Sequence, residues 1–188
     1  MMNFRLYPNM NKCVIPNNVI LTNTEFEYSF TRMYNLKVSQ IPVDKIANMI
    51  GTYENCYNLT GNPVCGNNMI WMAGAYYDCR NLTGNPVCGD KVTSIFQTYV
   101  NCFNLTGSPV CGPNVTTMYR AYYDCSNLTG SPVCGNNVTN MQNTYYNCRN
   151  ITGNPACGSN VIDMHNTYYN CFNLTGSPVC GDKVTNMS

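Results

Sequence analysis

The sequence predicts a repeat solenoid built from stacked 23-residue coils, and two sets of cysteines carry that prediction. The first cysteine column recurs with a constant step of 23 residues, at Cys56, Cys79, Cys102, Cys125, Cys148 and Cys171. The second cysteine column has the same step, at Cys65, Cys88, Cys111, Cys134, Cys157 and Cys180. Self-similarity at such a period is typical of solenoids, whose units bury their apolar faces only by stacking on one another.

The chain divides into three parts by this period. Residues 56–188 hold six repeats, of which the last is incomplete. Residues 33–55 read as a degenerate repeat, because Leu36 stands 23 residues before Leu59. Residues 1–32 are predicted to form an atypical N-terminal cap. About seven coils, stacked at roughly 4.8 Å per strand, would make a short rod or arc.

Each unit contains two kinds of spacing. In its second half, Val138, Met141, Tyr145 and Cys148 are separated by three, four and three residues, which predicts a helical or 3-10 turn. The first half, residues 128–134, is short and predicts a parallel strand of two or three residues. The proline that recurs in this half has no backbone donor, so the strand must lie to one side of it.

The run C-x-N-L-T-G-x-P-V-C-G-x-x-V-T-x-M-x-x-T-Y-Y-N-C resembles the 23-residue unit of the BspA-like leucine-rich repeat family. The matching columns include Leu128, Val138, Met141 and Tyr145, and the resemblance extends over residues 33–188. It implies a leucine-rich-repeat fold in a surface, secreted or phage-tail protein that recognises or adheres without catalysis. The chain departs from the family where cysteine replaces a proline, in the second cysteine column, and where Gly-[Asn/Ser]-Pro replaces two β-favouring residues.

Composition argues against several other classes of protein. Charged residues make up only 10% of the chain and the net charge is +1, which disfavours a nucleic-acid or membrane-surface partner. We expect no membrane insertion, because no apolar run is long enough to span a bilayer, and we see no signal peptide in the first twenty residues. A single histidine and the lack of a Cys-x-x-Cys pair predict no enzyme, no cofactor and no metal site.

The cysteines leave two alternatives open. Thirteen is an odd number, and Cys13 lies outside both columns. One alternative is a set of intracoil disulfides, such as Cys125 with Cys134; the other, which we favour, is free thiols packed as small apolar groups. The recurring Asn-[Leu/Ile/Val]-Thr tripeptides are likewise either glycosylation sites or, as we favour, stacked amide columns.

The variable columns are the candidate ligand-binding surface, because aromatic and arginine side chains commonly anchor recognition. One column follows the first cysteine column, with Tyr57, Arg80, Phe103, Arg149 and Phe172. Two adjacent columns lie near the predicted helical turn, one with Phe96, Tyr119 and His165 and the next with Gln97 and Arg120. The simpler alternative is that these columns vary because they face solvent.

The predicted function is non-catalytic recognition or adhesion, as the host- or receptor-binding part of a phage tail or a cell-surface protein. The partner would be a protein or glycan receptor, and the location the virion or the cell surface. One alternative is a structural protein that stacks on itself, through an uncapped C-terminal end, into a filament. A further alternative is an ice-binding solenoid that uses the threonine column beginning at Thr60.

Overall fold

The structure is a computed structural model that describes residue 4, residues 6–21 and residues 24–187. Ser188, where the last repeat was predicted to end, lies outside the described residues, as do residues 1–3, 5, 22 and 23 of the predicted cap. Within the described part of the chain, no helix has the length and apolar character needed to cross a membrane.

Regular secondary structure is sparse in the described residues. Strand β1 spans Lys12–Val14 and pairs in parallel with strand β2, which spans Val38–Gln40. A 3-10 helix spans Val43–Lys45. From there to residue 187 the chain consists of turns and isolated β-bridges, so backbone hydrogen bonds between successive coils hold the architecture together.

Apart from the bridge between Gly84 and Leu105, the isolated parallel bridges connect residues that are 23 positions apart. The longest series passes through Glu25, Asn48, Trp71, Ser94, Thr117, Asn140, Asp163 and Asn186. A second series joins Val110, Val133, Ala156 and Val179. The offset of both series equals the repeat period of the sequence, so each 23-residue unit is one coil that lies on the next. Where a strand of two or three residues was predicted, the coils joined by the second series have a single bridge each, in the column of Val110 and Val133 that we call the valine column. The longer series of bridges lies in another part of the coil, where no strand was predicted.

The second half of each coil is a chain of turns and differs from the predicted helical turn. The columns that contain Gly74 and Asp78 have positive φ throughout, for example 62° at Gly74 and 60° at Asp78. A left-handed residue at every fourth position prevents a right-handed helix from continuing. Alternate N–H groups therefore donate to the next coil, as from Tyr76 to the Thr98 carbonyl at 3.0 Å.

The N-terminal region that was predicted to be a cap contains a coil of its own. Cys13 pairs with Ser39, an offset of 26 residues, whereas Glu25 bridges to Asn48 at the regular offset of 23. The extra residues therefore lie between Cys13 and Glu25. At the outer end of this coil, the Phe4 ring stacks on Phe30 with 4.6 Å between ring centroids.

The core is a set of stacked identical columns. Tyr53, Tyr76, Tyr99, Tyr122 and Tyr145 are all buried, and neighbouring rings in this series stack with centroids 5.4–5.5 Å apart. The leucine and methionine columns are buried around them, together with a different set of valines from the bridged one: Val92, Val115, Val138 and Val161. Such offset stacking contributes stability beyond the burial of apolar area, about 0.5–1.5 kcal/mol per pair.

The first cysteine column fills the core beside the tyrosines. Each of these thiols donates to a main-chain carbonyl of the preceding coil, for example Cys125 Sγ to the Tyr99 oxygen at 2.9 Å and Cys148 Sγ to the Tyr122 oxygen at 3.0 Å. Burial raises the pKa of Cys56 to about 12 and that of Cys125 well above its ordinary value. All 13 cysteines are free thiols, so the disulfide considered between Cys125 and Cys134 is not formed.

The sequon asparagines hold neighbouring coils together. The Asn58 side-chain amide donates to the Tyr34 carbonyl at 2.7 Å, Asn104 to the Arg80 carbonyl at 3.1 Å, and Asn137 to the Pro113 carbonyl at 2.8 Å. Each bond reaches back one coil. The acceptors of these three bonds are main-chain carbonyls; side-chain amides bond to each other, as in the suggested amide column, between Asn173 and Asn150 at 3.1 Å and between Asn81 and Asn58 at 3.5 Å.

The hydroxyl groups of the tyrosine column give a matched stability test. Tyr99 donates to the Val87 carbonyl at 2.9 Å, whereas the buried Tyr145 hydroxyl has no hydrogen-bond partner among the described residues. We expect Tyr99→Phe to lower the free energy of unfolding by about 1 kcal/mol, and Tyr145→Phe to raise it by a similar amount, because an unpaired buried hydroxyl is costly. Chemical denaturation of both variants measures this difference, and equal losses in the two would contradict the hydrogen-bond pattern.

Candidate functional site

The column of Phe96, Tyr119 and His165 lies on a surface that we call the turn face. It is formed by residues 73, 96, 119, 142 and 165, by residues 74, 97, 120 and 166, and by residues 77, 123, 146 and 169; Val100 and Asn143, which stand in the same columns, are buried. The Phe96 and Tyr119 rings stack with centroids 5.2 Å apart. Phe96 is 39% exposed. The His165 backbone N–H is bonded to the Asp163 carboxylate at 2.9 Å, which fixes the chain where the column continues.

A second aromatic series runs along the same face. The Tyr123 and Tyr146 rings stack at 4.6 Å, and Tyr146 and Tyr169 stack at 4.8 Å. Next to them, side-chain amides join successive coils, from Asn147 to Asp124 at 2.5 Å and from Asn170 to Asn147 at 2.8 Å. The rings are therefore held in fixed register by a polar series that follows them in sequence.

Arg120 connects the two aromatic series. Its guanidinium carbon lies 5.4 Å from the Tyr119 ring centroid and 5.3 Å from that of Tyr123, within cation–π range of both. Its backbone has a φ of 51°, a conformation that costs a non-glycine residue free energy. Its buried Nε has no hydrogen-bond partner among the described residues. The positive φ is shared by the whole column and does not single out this residue, whereas the unpaired buried donor does.

A cavity opens on the turn face at its N-terminal side. It has a volume of about 360 Å³, and its lining includes Tyr28, Glu54, Tyr77, Phe96 and Gln97. Glu54 accepts a hydrogen bond from the Asn55 amide at 3.3 Å. Aromatic rings with a few carboxylate and amide groups provide the contacts that orient a polar ligand with an apolar face.

The other predicted column, which follows the first cysteine column, is less available for a ligand. The Arg80 guanidinium donates to Asp78 from Nε at 2.9 Å and from Nη2 at 3.1 Å, and it lies 4.7 Å from the Tyr57 ring centroid. Hydrogen bonding to Asp78 and its charge raise the pKa of Arg80. Because its guanidinium already contacts both Asp78 and the Tyr57 ring, Arg80 is less available to a ligand than the sequence suggested.

The remaining members of that column are exposed but not gathered into a site. Phe103 is 37% exposed, Phe172 is 71% exposed, and Arg149 is also exposed. The Tyr57 ring stacks on Tyr34 with centroids 5.1 Å apart. None of the three exposed residues has a ring or ion-pair contact with another within the described part of the chain.

The sequence analysis did not select Tyr123, Tyr146 and Tyr169 as site residues, whereas Arg120 stood in one of its candidate columns. The signal was present as a second tyrosine directly after several core tyrosines, as in Tyr122-Tyr123 and Tyr145-Tyr146, although Glu54 follows Tyr53 and Val100 follows Tyr99. In a chain of turns, adjacent side chains point to opposite sides, so one ring is buried and its neighbour stays at the surface. The helical turn that was predicted obscured this alternation.

No group of three or more histidine, cysteine or acidic side chains is placed to hold a metal ion within the described ranges. The threonines at 60, 83 and 106, on which the ice-binding alternative depends, are exposed.

Comparison with known proteins gives one partial match. Residues 120–147 match a model of the Kazal-type serine protease inhibitor domain. No curated protein and no solved structure matches the chain. The matched segment is little longer than one coil, and hydrogen bonds leave it on both sides: Cys125 Sγ donates to the Tyr99 carbonyl, and the Asn143 N–H donates to the His165 carbonyl. A match over so small a share of the chain does not establish a family.

Proposed function

We propose that the chain is a non-catalytic recognition module on a leucine-rich-repeat-type solenoid of the BspA-like kind, and that the turn face is its binding surface. Its place would be the receptor-binding part of a phage tail or a cell-surface protein, and its partner a protein or glycan receptor. The observation that carries this proposal is Arg120, held between Tyr119 and Tyr123 with an unpaired buried Nε.

The regular spacing of the aromatic rings on the turn face suits a ligand that repeats along its own length. The stacked aromatic pairs have centroid spacings of 4.6–5.2 Å, so equivalent contacts recur from coil to coil. Tyrosine and arginine are the side chains that most often dominate binding free energy. Rings that are already stacked lose little conformational entropy when a ligand covers them, so more of the contact free energy is available for affinity.

The test compares two triple variants. We expect Phe96→Ala, Tyr119→Ala and His165→Ala together to weaken binding to an immobilised panel of glycans and to bacterial cells by about tenfold or more, since anchors of this kind contribute above ~1.4 kcal/mol together. Arg80→Ala, Phe103→Ala and Arg149→Ala together form the matched control from the other column. Circular dichroism and melting temperature should stay nearly unchanged in the first triple, because its side chains are at the surface.

The single variant Arg120→Ala sharpens the test. It removes the guanidinium between the rings and should reduce binding as much as the first triple does. If the control triple loses binding and the turn-face variants keep it, the binding surface is the column after the first cysteines. Unchanged binding in all of them would refute both columns.

The self-stacking alternative has one favourable observation. An apolar cavity of about 310 Å³ lies beside the last coils and is lined by Met164, Tyr168, Pro178, Cys180, Met187 and three neighbouring residues. Light scattering across a range of protein concentrations separates the two functions: a filament grows with concentration, and a monomeric binder does not.

A further inference from the structure

The cavity at the N-terminal side of the turn face, which we call the turn-face cavity, lies where the repeat is interrupted by small residues. Gly51 and Gly74 stand two coils and one coil before Gln97 in the same column. Four members of that column are not glycine, although their φ values are 51–55°: Gln97, Arg120, Asn143 and Asn166. The backbone conformation therefore does not require glycine at Gly51 and Gly74, and what these two residues provide is space.

The surroundings of the two glycines show how the space is used. Tyr28 stands one coil before Gly51, and a Cβ atom at Gly51 would collide with Cδ1 and Cε1 of that tyrosine. The Tyr28 ring therefore lies over Gly51. A Cβ atom at Gly74 would meet no atom within 4 Å. Gly74 thus lies beneath open space, in the cavity of about 360 Å³ that Tyr28 closes at one end.

Phe96 closes the opposite end and has a free ring face toward the cavity. Tyr119 stacks on one face of Phe96 with centroids 5.2 Å apart. On the other side the same column continues with Ala73, which has no ring. Tyr77 also lines the cavity. It stands between Glu54 and Val100 in its own column, so no ring of that column covers its faces.

The two ends of the cavity are two coil steps apart, because Tyr28 lies over Gly51 and Phe96 belongs to the coil of Gln97. Two parallel steps of about 4.8 Å give roughly 10 Å. A group midway between the ends lies about 5 Å from each ring, inside the ~6 Å over which a cation is attracted to an aromatic face. The cavity therefore has the dimensions to hold one compact cation between the two rings.

The charges around the cavity also favour a cation. The Glu54 carboxylate lines it, accepts a hydrogen bond from the Asn55 amide at 3.3 Å, and forms no ion pair among the described residues. A second acid, Glu27, stands one coil before the lining residue Ile50. No lysine or arginine is among the described lining residues, and the exposed Arg32 stands one coil before Asn55. A positive charge that enters the cavity is therefore opposed by no lining cation.

The lining suits a quaternary ammonium better than a primary one. Tyr28, Tyr77, Phe96, Ile50 and Ala73 offer mainly carbon surface. A primary ammonium is a strongly hydrated point charge with three N–H donors, each of which needs an acceptor once water is lost. A quaternary ammonium has no N–H group and presents methyl groups to the rings. Aromatic cages that recognise choline and methylated lysine use this chemistry.

We propose that the turn-face cavity binds a quaternary ammonium group of the choline type, with the rings of Tyr28, Tyr77 and Phe96 around the cation and Glu54 balancing its charge. The proposal rests on the proposed function, because it names the chemical group of a receptor that the turn face recognises. Phosphocholine presents this group, either on a polymer or at the surface of a lipid membrane.

The first test is calorimetric titration of the purified full chain with choline and with dimethylbutanol, its neutral isostere that has carbon in place of nitrogen. We expect choline to bind about tenfold or more tightly than the isostere, because only the cation is attracted to the ring faces and to Glu54. Ethanolamine, with a primary ammonium, should also bind less tightly than choline. Equal affinity for choline and the isostere would overturn the proposal.

Cavity variants locate the site. Gly74→Gln gives this coil the residue of the next one and should abolish choline binding, because its side chain occupies the open space. Tyr77→Leu should weaken binding about tenfold through the loss of a cation–π contact. Glu54→Gln should weaken it about fivefold, as expected for a partly exposed charge pair. The matched control is Asp182→Asn, which removes an exposed acid outside the cavity and should leave choline affinity unchanged.

Saturation-transfer NMR gives a readout that does not depend on affinity. Saturation of the aromatic protons should reach the choline methyl protons in the unaltered chain and not in Gly74→Gln. Circular dichroism shows whether that variant is folded, and Tyr77→Leu takes its place if it is not. Transfer that persists in a folded Gly74→Gln would overturn the proposal.

Two further arms identify what carries the group. Retention on immobilised phosphocholine, released by free choline, indicates a polymer, and sedimentation with phosphatidylcholine vesicles indicates a membrane. Binding to neither would overturn the proposal.

The failure of this proposal can be told apart from failure of the proposed function. If choline does not bind, but the unaltered chain binds glycans or cells and the triple variant of Phe96, Tyr119 and His165 does not, only the choline proposal fails. Choline binding by a chain that binds neither glycans nor cells would support the cavity and refute the receptor function.

Discussion

A chain that lacks residues 79–101 should fold, whereas a chain that lacks residues 79–90 should not. The first deletion removes one whole coil, so Asp78 is followed by Cys102 and every later column stays in register. Bridges that join residues 23 positions apart can then re-form between the coils that become neighbours. The second deletion leaves part of a coil, and each subsequent tyrosine, methionine and cysteine is displaced from its column.

The expected magnitudes follow from the additive character of stacked coils. Loss of one coil should lower the free energy of unfolding by the contribution of one coil and of one interface between coils. The melting curve should remain cooperative. Circular dichroism and chemical denaturation of both deletions give the answer. If the two behave alike, in either direction, the coils do not stack in register and the architecture described above is wrong.

Much of the core could be anticipated from spacing alone. A residue that recurs every 23 positions has an identical neighbour above and below it, so Leu82, Met118 and Tyr99 are expected to be buried in continuous columns, and they are. The recurring proline also indicated that long strands could not form through it, in keeping with the single bridges observed at the valine column.

The form of the turns could not be read from the same pattern. Apolar residues spaced by three and four positions fit a helix, but they fit equally a series of turns that returns the chain to the same face. The φ values decide between a helix and a series of turns, and the residue types in the sequence indicate positive φ at only some of the positions that have it. Asp78 and Asn147 belong to residue types that accept positive φ, whereas Gln97 and Arg120 do not favour it.

The site illustrates a further limit of sequence analysis. Arg80 and Arg120 both looked like solvent-facing arginines beside aromatic residues. The structure separates them by their partners: Asp78 pairs with Arg80, whereas no carboxylate neutralises Arg120 among the described ion pairs. The carboxylate that pairs with Arg80 stands two residues before it, whereas Asp124 stands four residues after Arg120 and accepts a hydrogen bond from Asn147. Which nearby carboxylate an arginine reaches depends on the path of the turns, and a column alignment does not contain that path.

The tyrosine column predicts the largest effect of any single substitution. Tyr99 is completely buried, and its ring stacks on Tyr76 with centroids 5.5 Å apart and on Tyr122 at 5.4 Å. We expect Tyr99→Ala to lower the free energy of unfolding by about 3–5 kcal/mol, because it leaves a large cavity and removes both stacking contacts. The neighbouring aromatic residue Phe103, which is 37% exposed, provides the matched control.

Phe103→Ala should cost less than about 1 kcal/mol, since a surface ring can be removed without leaving a cavity. Denaturation by urea measures both variants under the same conditions. The slope of the transition should be unchanged in Phe103→Ala. In Tyr99→Ala a smaller slope would mean that the coils on either side unfold separately, because the missing ring interrupts the stack through which they are coupled. Equal costs at the two positions would contradict a core built on stacked tyrosines.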